Sequence, residues 1–190
     1  MDMAHNSGCS FRLNLNPPCE KEFCVRLVFP PFCGHLARVT VEYLECMKGL
    51  ICSFGSLFGG AFSVGIDVDP QAIESGHKNA ALNNIEPEKL QLHLVPSDLA
   101  EYKDCETYIS GKENFDIVIA NILQNPLLDL ADYVVSYAKP EAVVALSGIL
   151  SEQVPAIIER YSQYLEGISV STMYDWACVS GKKKRLLSGR

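Results

Sequence analysis

From residue 61 onward, apolar and polar positions sort into short runs that alternate between two periods. AFSVGI (61–66) is an apolar run of strand type ending in Asp67-Val68-Asp69-Pro70. Asp69 suits a helix cap, with Pro70 at the first helical position, where a missing N–H costs nothing. That helix is predicted to run to about Asn83-Asn84, where the paired asparagines and Pro87 stop it. LQLHLV (90–95) alternates and predicts the next strand, and FDIVIA (115–120) is nearly continuous in apolar residues, as a strand buried on both faces should be. A second helix begins at Asn125-Pro126, sets Leu127, Leu130, Ala131, Val134, Val135 and Ala138 on one face, and ends at Lys139-Pro140. AVVALS (142–147) is another buried strand. Ser151 then caps a helix carrying Val154, Ile157, Ile158, Tyr161 and Leu165, with Pro155 tolerated in its first turn. Two last strands, ISVST (168–172) and WACVS (176–180), lie too close together for a crossover helix and therefore form an antiparallel pair.

Alternating strand and helix imply an α/β fold: a mostly parallel sheet covered on both faces, wound by right-handed crossovers and closed by a terminal antiparallel hairpin. Before about residue 55 the style differs. Pro-Pro pairs at 17–18 and 30–31 and short apolar runs, FCVRLVF and LICSF, follow no regular order. The expected organisation is an atypical amino-terminal segment over 1–55, an ordered domain over 56–184 and a tail over 185–190.

Composition narrows the function classes. At 190 residues and 48% hydrophobic content, the chain can bury one sizeable core. The 16 basic residues against 23 acidic ones, a net charge of -7, argue against a nucleic-acid-coating surface. The one basic run, GKKKR (181–185), reads as a solvated tail. No stretch approaches the roughly 18 uninterrupted apolar residues of a membrane helix, so no membrane partner is expected, and the start of the chain lacks the pattern of a secretory signal. An organelle transit peptide stays open: Arg12, Arg26 and Arg38 are spread through the early chain, and Asp2, Glu20 and Glu22 dilute the basic pattern. Cys9, Cys19, Cys24, Cys33, Cys46 and Cys52 precede residue 60, with only Cys105 and Cys178 beyond it. No C-x-x-C pair occurs among them, so reduced thiols rather than a metal site or a disulfide framework are expected.

The motifs VGIDVDPQAIESGHKNAALNN, FDIVIANILQNPLLDLA, LSGILSEQ and DWACVSGKKK resemble the PrmA-type ribosomal-protein lysine methyltransferases. Their eukaryotic relatives include the lysine methyltransferase acting on the beta subunit of electron transfer flavoprotein. The likeness covers about residues 57 to 184, and ANIL-x-NPL together with SGIL is more specific than the acidic strand end. It implies the class I, Rossmann-like fold of S-adenosylmethionine-dependent methyltransferases, with a protein substrate, either a ribosomal protein or the flavoprotein beta subunit. By analogy it also implies a mitochondrial or plastid location, with the cytoplasm left open.

Site residues follow from the same comparison. Asp67 ends its strand where a carboxylate can accept both ribose hydroxyls of S-adenosyl-L-methionine, the alternative being a turn residue beside a capping Asp69. Asp98, in VPSDL, falls near the expected adenine position and either accepts from its amine or stabilises a turn; Leu99 and Ala100 could line it. Asn121 is the expected catalytic residue and also belongs to the cofactor site. Its amide oxygen, with the Ile122 carbonyl, can orient a neutral amine in line with the methyl group. A plain turn asparagine is the bland reading. Ser147 and Gly148 close the next strand on the same edge as substrate contacts. Trp176 reads as core, and His77 and His93 as surface and strand residues without catalytic partners.

One family feature is not visible in the sequence: a first strand carrying D-x-G-x-G-x-G, followed by a helix, ahead of the segment that ends at Asp67. Gly55, Gly59 and Gly60 stand too close to Asp67 to be that loop. FCVRLVF or LICSF could substitute for the strand, but not for the glycines, and without a central strand its two neighbours would expose unpaired backbone. Three functions follow: a protein-lysine methyltransferase, inactive if the loop is truly lost; a truncated, non-catalytic binding module; and, weakest, a nicotinamide-dependent oxidoreductase.

Overall fold

The computed structural model describes residues 38–43, as a backbone strand, 62–95 and 113–185. The strands are β1 (Arg38–Tyr43), β2 (Phe62–Asp67), β3 (Leu90–Leu94), β4 (Phe115–Asn121), β5 (Ala138–Leu150), β6 (Leu165–Met173) and β7 (Trp176–Lys183). The helices are α1 (Pro70–Leu82), α2 (Gln124–Asp129), α3 (Ala131–Tyr137) and α4 (Val154–Tyr161). All seven strands form one sheet in the order β3-β2-β1-β4-β5-β7-β6. Pairing is parallel from β3 through β5, while β7 runs antiparallel to both β5 and β6.

The first strand is present, which corrects the expectation that it is missing, and neither anticipated substitute supplies it. RVTVEY pairs with β2 from Arg38–Phe62 to Glu42–Ile66 and with β4 from Val39–Ile117 to Tyr43–Asn121. Its Val-Thr-Val run has the β-branched composition that fits a pleated strand. The sheet therefore begins upstream of residue 56, and residues 44–61 separate β1 from β2. Strand order reverses at β1, between β2 on one side and β4 on the other, so the switch-point crevice lies at the carboxyl ends of β1 and β4.

Local chemistry accounts for the element boundaries. The Asp69 carboxylate accepts from the Gln71 N–H at 2.8 Å and caps α1, with Pro70 at its start. The helix stops at Asn83, whose side chain donates to the Asn79 carbonyl, and Asn84 turns left-handed with φ 54°. α1 lays Ala72, Gly76, Asn79 and Ala80 against the sheet, a face of mostly small residues that lets it approach closely.

The second predicted helix is two pieces, because Leu130 leaves helical geometry at φ -95°, ψ 9°. The apolar face is nonetheless as expected for Leu127, Leu130, Ala131, Val134 and Val135, all buried, but the helix ends at Tyr137 rather than at Lys139-Pro140, and the buried Ala138 already opens β5. Ser151 does not cap the next helix. Ser151–Gln153 form a 3-10 turn in which the Gln153 amide oxygen accepts from the Leu150 N–H at 2.8 Å, and α4 follows with Pro155 in its first turn. α4 buries Val154, Ile157 and Tyr161, and the Tyr161 hydroxyl donates to the Leu127 carbonyl at 2.8 Å, tying α4 to α2. Each large apolar side chain so buried contributes about 1.5–3 kcal/mol.

β4 is buried on both faces, as its continuous apolar run requires. Val118 and Ala120 enter the larger core beneath α2, α3 and α4, and Ile117 and Ile119 join a smaller cluster with Ala80, Leu90 and Ala145. The GKKKR run is not simply a solvated tail, since β7 continues through Lys183, which is 8% exposed. Its ammonium donates to Glu113 Oε1 at 2.9 Å and to the Ala138 carbonyl at 2.8 Å. Trp176 is half-buried rather than core; His77 is exposed on α1 and His93 half-buried on β3.

Candidate active site

The carboxyl ends of β2, β1, β4 and β5 line one edge of the sheet, and the expected site residues that can be placed stand there. Asp67, the last residue of β2, is 5% exposed, and its Oδ1 accepts from the Asp69 N–H at 2.9 Å. That contact fixes the carboxylate at the strand end and is the turn contact weighed as the alternative for Asp67, while the Asp69 side chain caps α1 as expected. Tyr43 ends β1 beside Asn121, a neighbour the sequence reading missed with the strand itself.

Asn121 ends β4 and lies in register with Ser147 on β5. The Ser147 hydroxyl donates to Asn121 Oδ1 at 2.8 Å, which fixes the side-chain amide across the two strands. An amide oxygen has two lone-pair directions, so one acceptor position is left for a further donor. Gly148 follows at φ +82°. A β-carbon built there would stand 2.8 Å from the Ile122 carbonyl oxygen and 3.2 Å from Asn121 Oδ1. The two oxygens crowd the β-carbon position, so only glycine lets β5 pass this close to the Asn121-Ile122 turn. Asn121, Ile122, Ser147 and Gly148 are brought together as expected; Asp98, with Leu99 and Ala100, lies outside the described residues. Cys178 is the one described cysteine, and burial pushes its thiol up, away from the reactive thiolate.

The antiparallel β7, set between β5 and β6, distinguishes this architecture from a plain dinucleotide-binding domain, which shares the order of the other strands and the acid at the end of β2. The sequence profile of the ribosomal protein L11 methyltransferases (PrmA) matches residues 47–184. The chain belongs to this family. The match starts upstream of residue 57 and takes in residues 47–61, most of the segment between β1 and β2. The chain is 33% identical over 149 residues to the ribosomal protein L11 methyltransferase of Pseudomonas paraeruginosa, covering 78% of this chain and 47% of that protein. It is 36% identical over 148 residues to that of Marinomonas sp., covering 77% and 45%. The chain thus spans about half the length of the curated relatives it matches.

Among solved structures, a ribosomal protein L11 methylase from Lactobacillus delbrueckii subsp. bulgaricus superposes with a TM-score of 0.65 at 24% identity, covering 80% of this chain and 72% of that one. An S-adenosylmethionine-dependent O-methyltransferase from Thermotoga maritima gives 0.64 at 10% identity, covering 80% and 61%. The fold is therefore that of the class I methyltransferases, whose cofactor is S-adenosyl-L-methionine. The described residues fit that group at the end of β2, where a buried carboxylate suits a ribose diol.

Proposed function

We propose that this chain carries the catalytic half of a protein-lysine methyltransferase that uses S-adenosyl-L-methionine. The observation that carries the reading is the convergence of Asn121 Oδ1 and the Ile122 carbonyl oxygen beside Gly148. Asn121 Oδ1 accepts from the Ser147 hydroxyl, and its second lone pair, with the Ile122 carbonyl, can accept from an N–H-bearing guest; a neutral lysine amine offers two N–H groups while keeping a lone pair for attack. When bound, S-adenosylmethionine would supply an activated methyl group to the amine nitrogen and leave as its demethylated thioether, and the alkylammonium would give its extra proton to water. Asp67 holds the ribose end. Asn121, braced by Ser147, and the Ile122 carbonyl aim the amine lone pair, which makes attack effectively intramolecular.

By the names of its relatives, the first substrate to test is ribosomal protein L11; the beta subunit of electron transfer flavoprotein is the second. Both proteins are incubated with the purified chain and methyl-labelled cofactor, and modified residues are mapped by mass spectrometry. Label on lysine that disappears in Asn121→Ala supports the reading. Label on other residue types, or wild-type transfer that survives Asn121→Ala, refutes it.

A second reading, a non-catalytic methyltransferase-like module, draws support from one sequence feature. After β1 the chain reads LECMKG, which retains a single glycine, Gly49, of the family's glycine-rich loop. Titration of the folded chain with S-adenosylmethionine separates the two: heat of binding lost in Asp67→Ala favours the enzyme, and no binding favours the module.

A further inference from the structure

α2 follows the Asn121-Ile122 turn, and little in its own sequence holds it in place. It has six residues, too few to be stable as an isolated helix, and its N-cap, Leu123, has no side-chain acceptor for the first N–H groups. Only Leu123 separates Ile122 from Gln124, the first helical residue. The carbonyl end is interrupted as well. In an unbroken helix the N–H groups of Ala131 and Asp132 would meet the carbonyls of Leu127 and Leu128, but the chain leaves helical geometry at Leu130.

α4 brings two side-chain donors to these carbonyls. The Tyr161 hydroxyl donates to the Leu127 carbonyl at 2.8 Å, and Arg160 Nε donates to the Leu128 carbonyl at 3.1 Å. Both donors are themselves fixed. Tyr161 is fully buried, in the same core cluster as Leu127 and Ile122. Arg160 lies over the Tyr164 ring at 5.3 Å from its centre, and its terminal nitrogens donate to the Tyr164 hydroxyl at 2.7 Å and to Asp132 Oδ2 at 2.9 Å. The Tyr164 hydroxyl in turn donates to Asp132 on α3. Consecutive residues of α4 thus grip the carbonyl end of a helix whose other end leads straight into the site.

We infer that Tyr161, with Arg160 beside it, is a positioning residue for methyl transfer: it holds α2 where the Ile122 carbonyl can orient the amine. This rests on the assignment of Asn121 and Ile122 as the amine's acceptors. β5 backs that carbonyl on one side, with its oxygen 2.8 Å from where a β-carbon of Gly148 would stand, and α2 fixes it along the chain. Packed interiors transmit displacements rather than absorb them, so a shift of α2 reaches Ile122 through Leu123.

The test is Tyr161→Phe in the full chain, which removes one oxygen and leaves the ring in the core, with Lys183→Met as control. Lys183 bonds the Ala138 carbonyl at the start of β5, the opposite end of the strand from Ser147 and Asn121, so its loss lowers stability without touching α2. Hydrogen exchange reads the brace without any substrate. The Leu127 and Leu130 amides, which bond the Leu123 and Pro126 carbonyls, should exchange about fivefold faster in Tyr161→Phe relative to the amides of β4, and Lys183→Met should show no such local change. Methyl transfer reads the consequence. Well below the unfolding temperature and at saturating substrate, kcat for lysine should fall about tenfold in Tyr161→Phe and hold its wild-type value in Lys183→Met. Calorimetric affinity for S-adenosylmethionine should not change, because Asp67 lies on β2. Unchanged exchange in α2, exchange that rises equally across the sheet, or a loosened α2 with wild-type kcat would each overturn the inference. No transfer by the wild type, with α2 loosened in Tyr161→Phe all the same, refutes the enzyme reading and overturns the catalytic use of the brace but not the brace itself.

Discussion

Gly148→Ala tests the site most directly, because two separable effects act at one atom. The backbone effect comes from φ +82°, a conformation in which a β-carbon costs about 1–2 kcal/mol. The contact effect comes from the Ile122 carbonyl oxygen, 2.8 Å from that carbon and closer than such atoms stand, so the carbonyl or the β5 end must shift. Gly167 supplies the control. At φ +60° its alanine variant meets the same kind of backbone cost, with nothing within 4 Å of the new methyl. Gly167→Ala should lower stability by about 1 kcal/mol, or about 2–4 °C in Tm for a domain of this size, and leave methyl transfer unchanged. Gly148→Ala should lose about 2–3 kcal/mol, since strain and displacement add. Its kcat/KM for lysine methylation, measured well below the unfolding temperature, should fall by at least about tenfold, since an ångström of misplacement near reacting atoms costs about 100-fold. Thermal unfolding and a methyl-transfer assay on both variants give the answer. Equal transfer by Gly148→Ala and Gly167→Ala would refute the claim that the Asn121 and Ile122 oxygens beside Gly148 orient the amine.

Four further outcomes follow from the same geometry. Asp67→Asn keeps the shape but removes the charge, so S-adenosylmethionine should bind about 10- to 100-fold more weakly by calorimetry, a charge-assisted hydrogen bond being worth about 1.5–3 kcal/mol. Ser147→Ala removes the hydroxyl that braces Asn121, and kcat/KM should drop about fivefold, with Ser147→Thr restoring it, for a loss near 1 kcal/mol. Ser63 is fully buried on β2 and its hydroxyl has no hydrogen-bond partner among the described residues, so Ser63→Ala should raise the denaturation midpoint or leave it unchanged; a clear fall would mean that the hydroxyl does find a partner. Burial lowers the pKa of His93 below its ordinary value of 6.5, so the unfolded chain binds that proton more readily. Stability should therefore decline as pH falls through about 6.5 toward the depressed folded value. His93→Gln should flatten that part of a urea-midpoint profile.

The local grammar of the chain was legible because each signal was self-contained. Asp69-Pro70 caps and starts a helix wherever it sits, the paired asparagines stop it, and FDIVIA is apolar on both faces because both faces are covered. The motif ANIL-x-NPL placed Asn121 at a strand end, and SGIL placed Ser147 and Gly148 at the next one. Less legible was anything that depends on a distant neighbour. RVTVEY is six residues with polar termini and no flanking turn signal, and it becomes the central strand only because β2 and β4 leave a gap with unpaired backbone on both sides. Lys183 looks like part of a basic tail until Glu113 and the Ala138 carbonyl, far away in sequence, are found beside its ammonium. Ser151 fits the pattern of a cap, but Gln153 reaches back to the Leu150 N–H first.

The sequence by itself determined the order of elements, the buried faces, the family and the chemical types at the strand ends, since these follow from periodicity and short-range chemistry. Tertiary structure alone decided which strand occupies the centre, that the Ser147 hydroxyl binds Asn121 across two strands, and that two oxygens meet beside Gly148. Those are relations between residues brought together by sheet pairing, and hydrophobic pattern carries no information about register between strands that are distant in the chain.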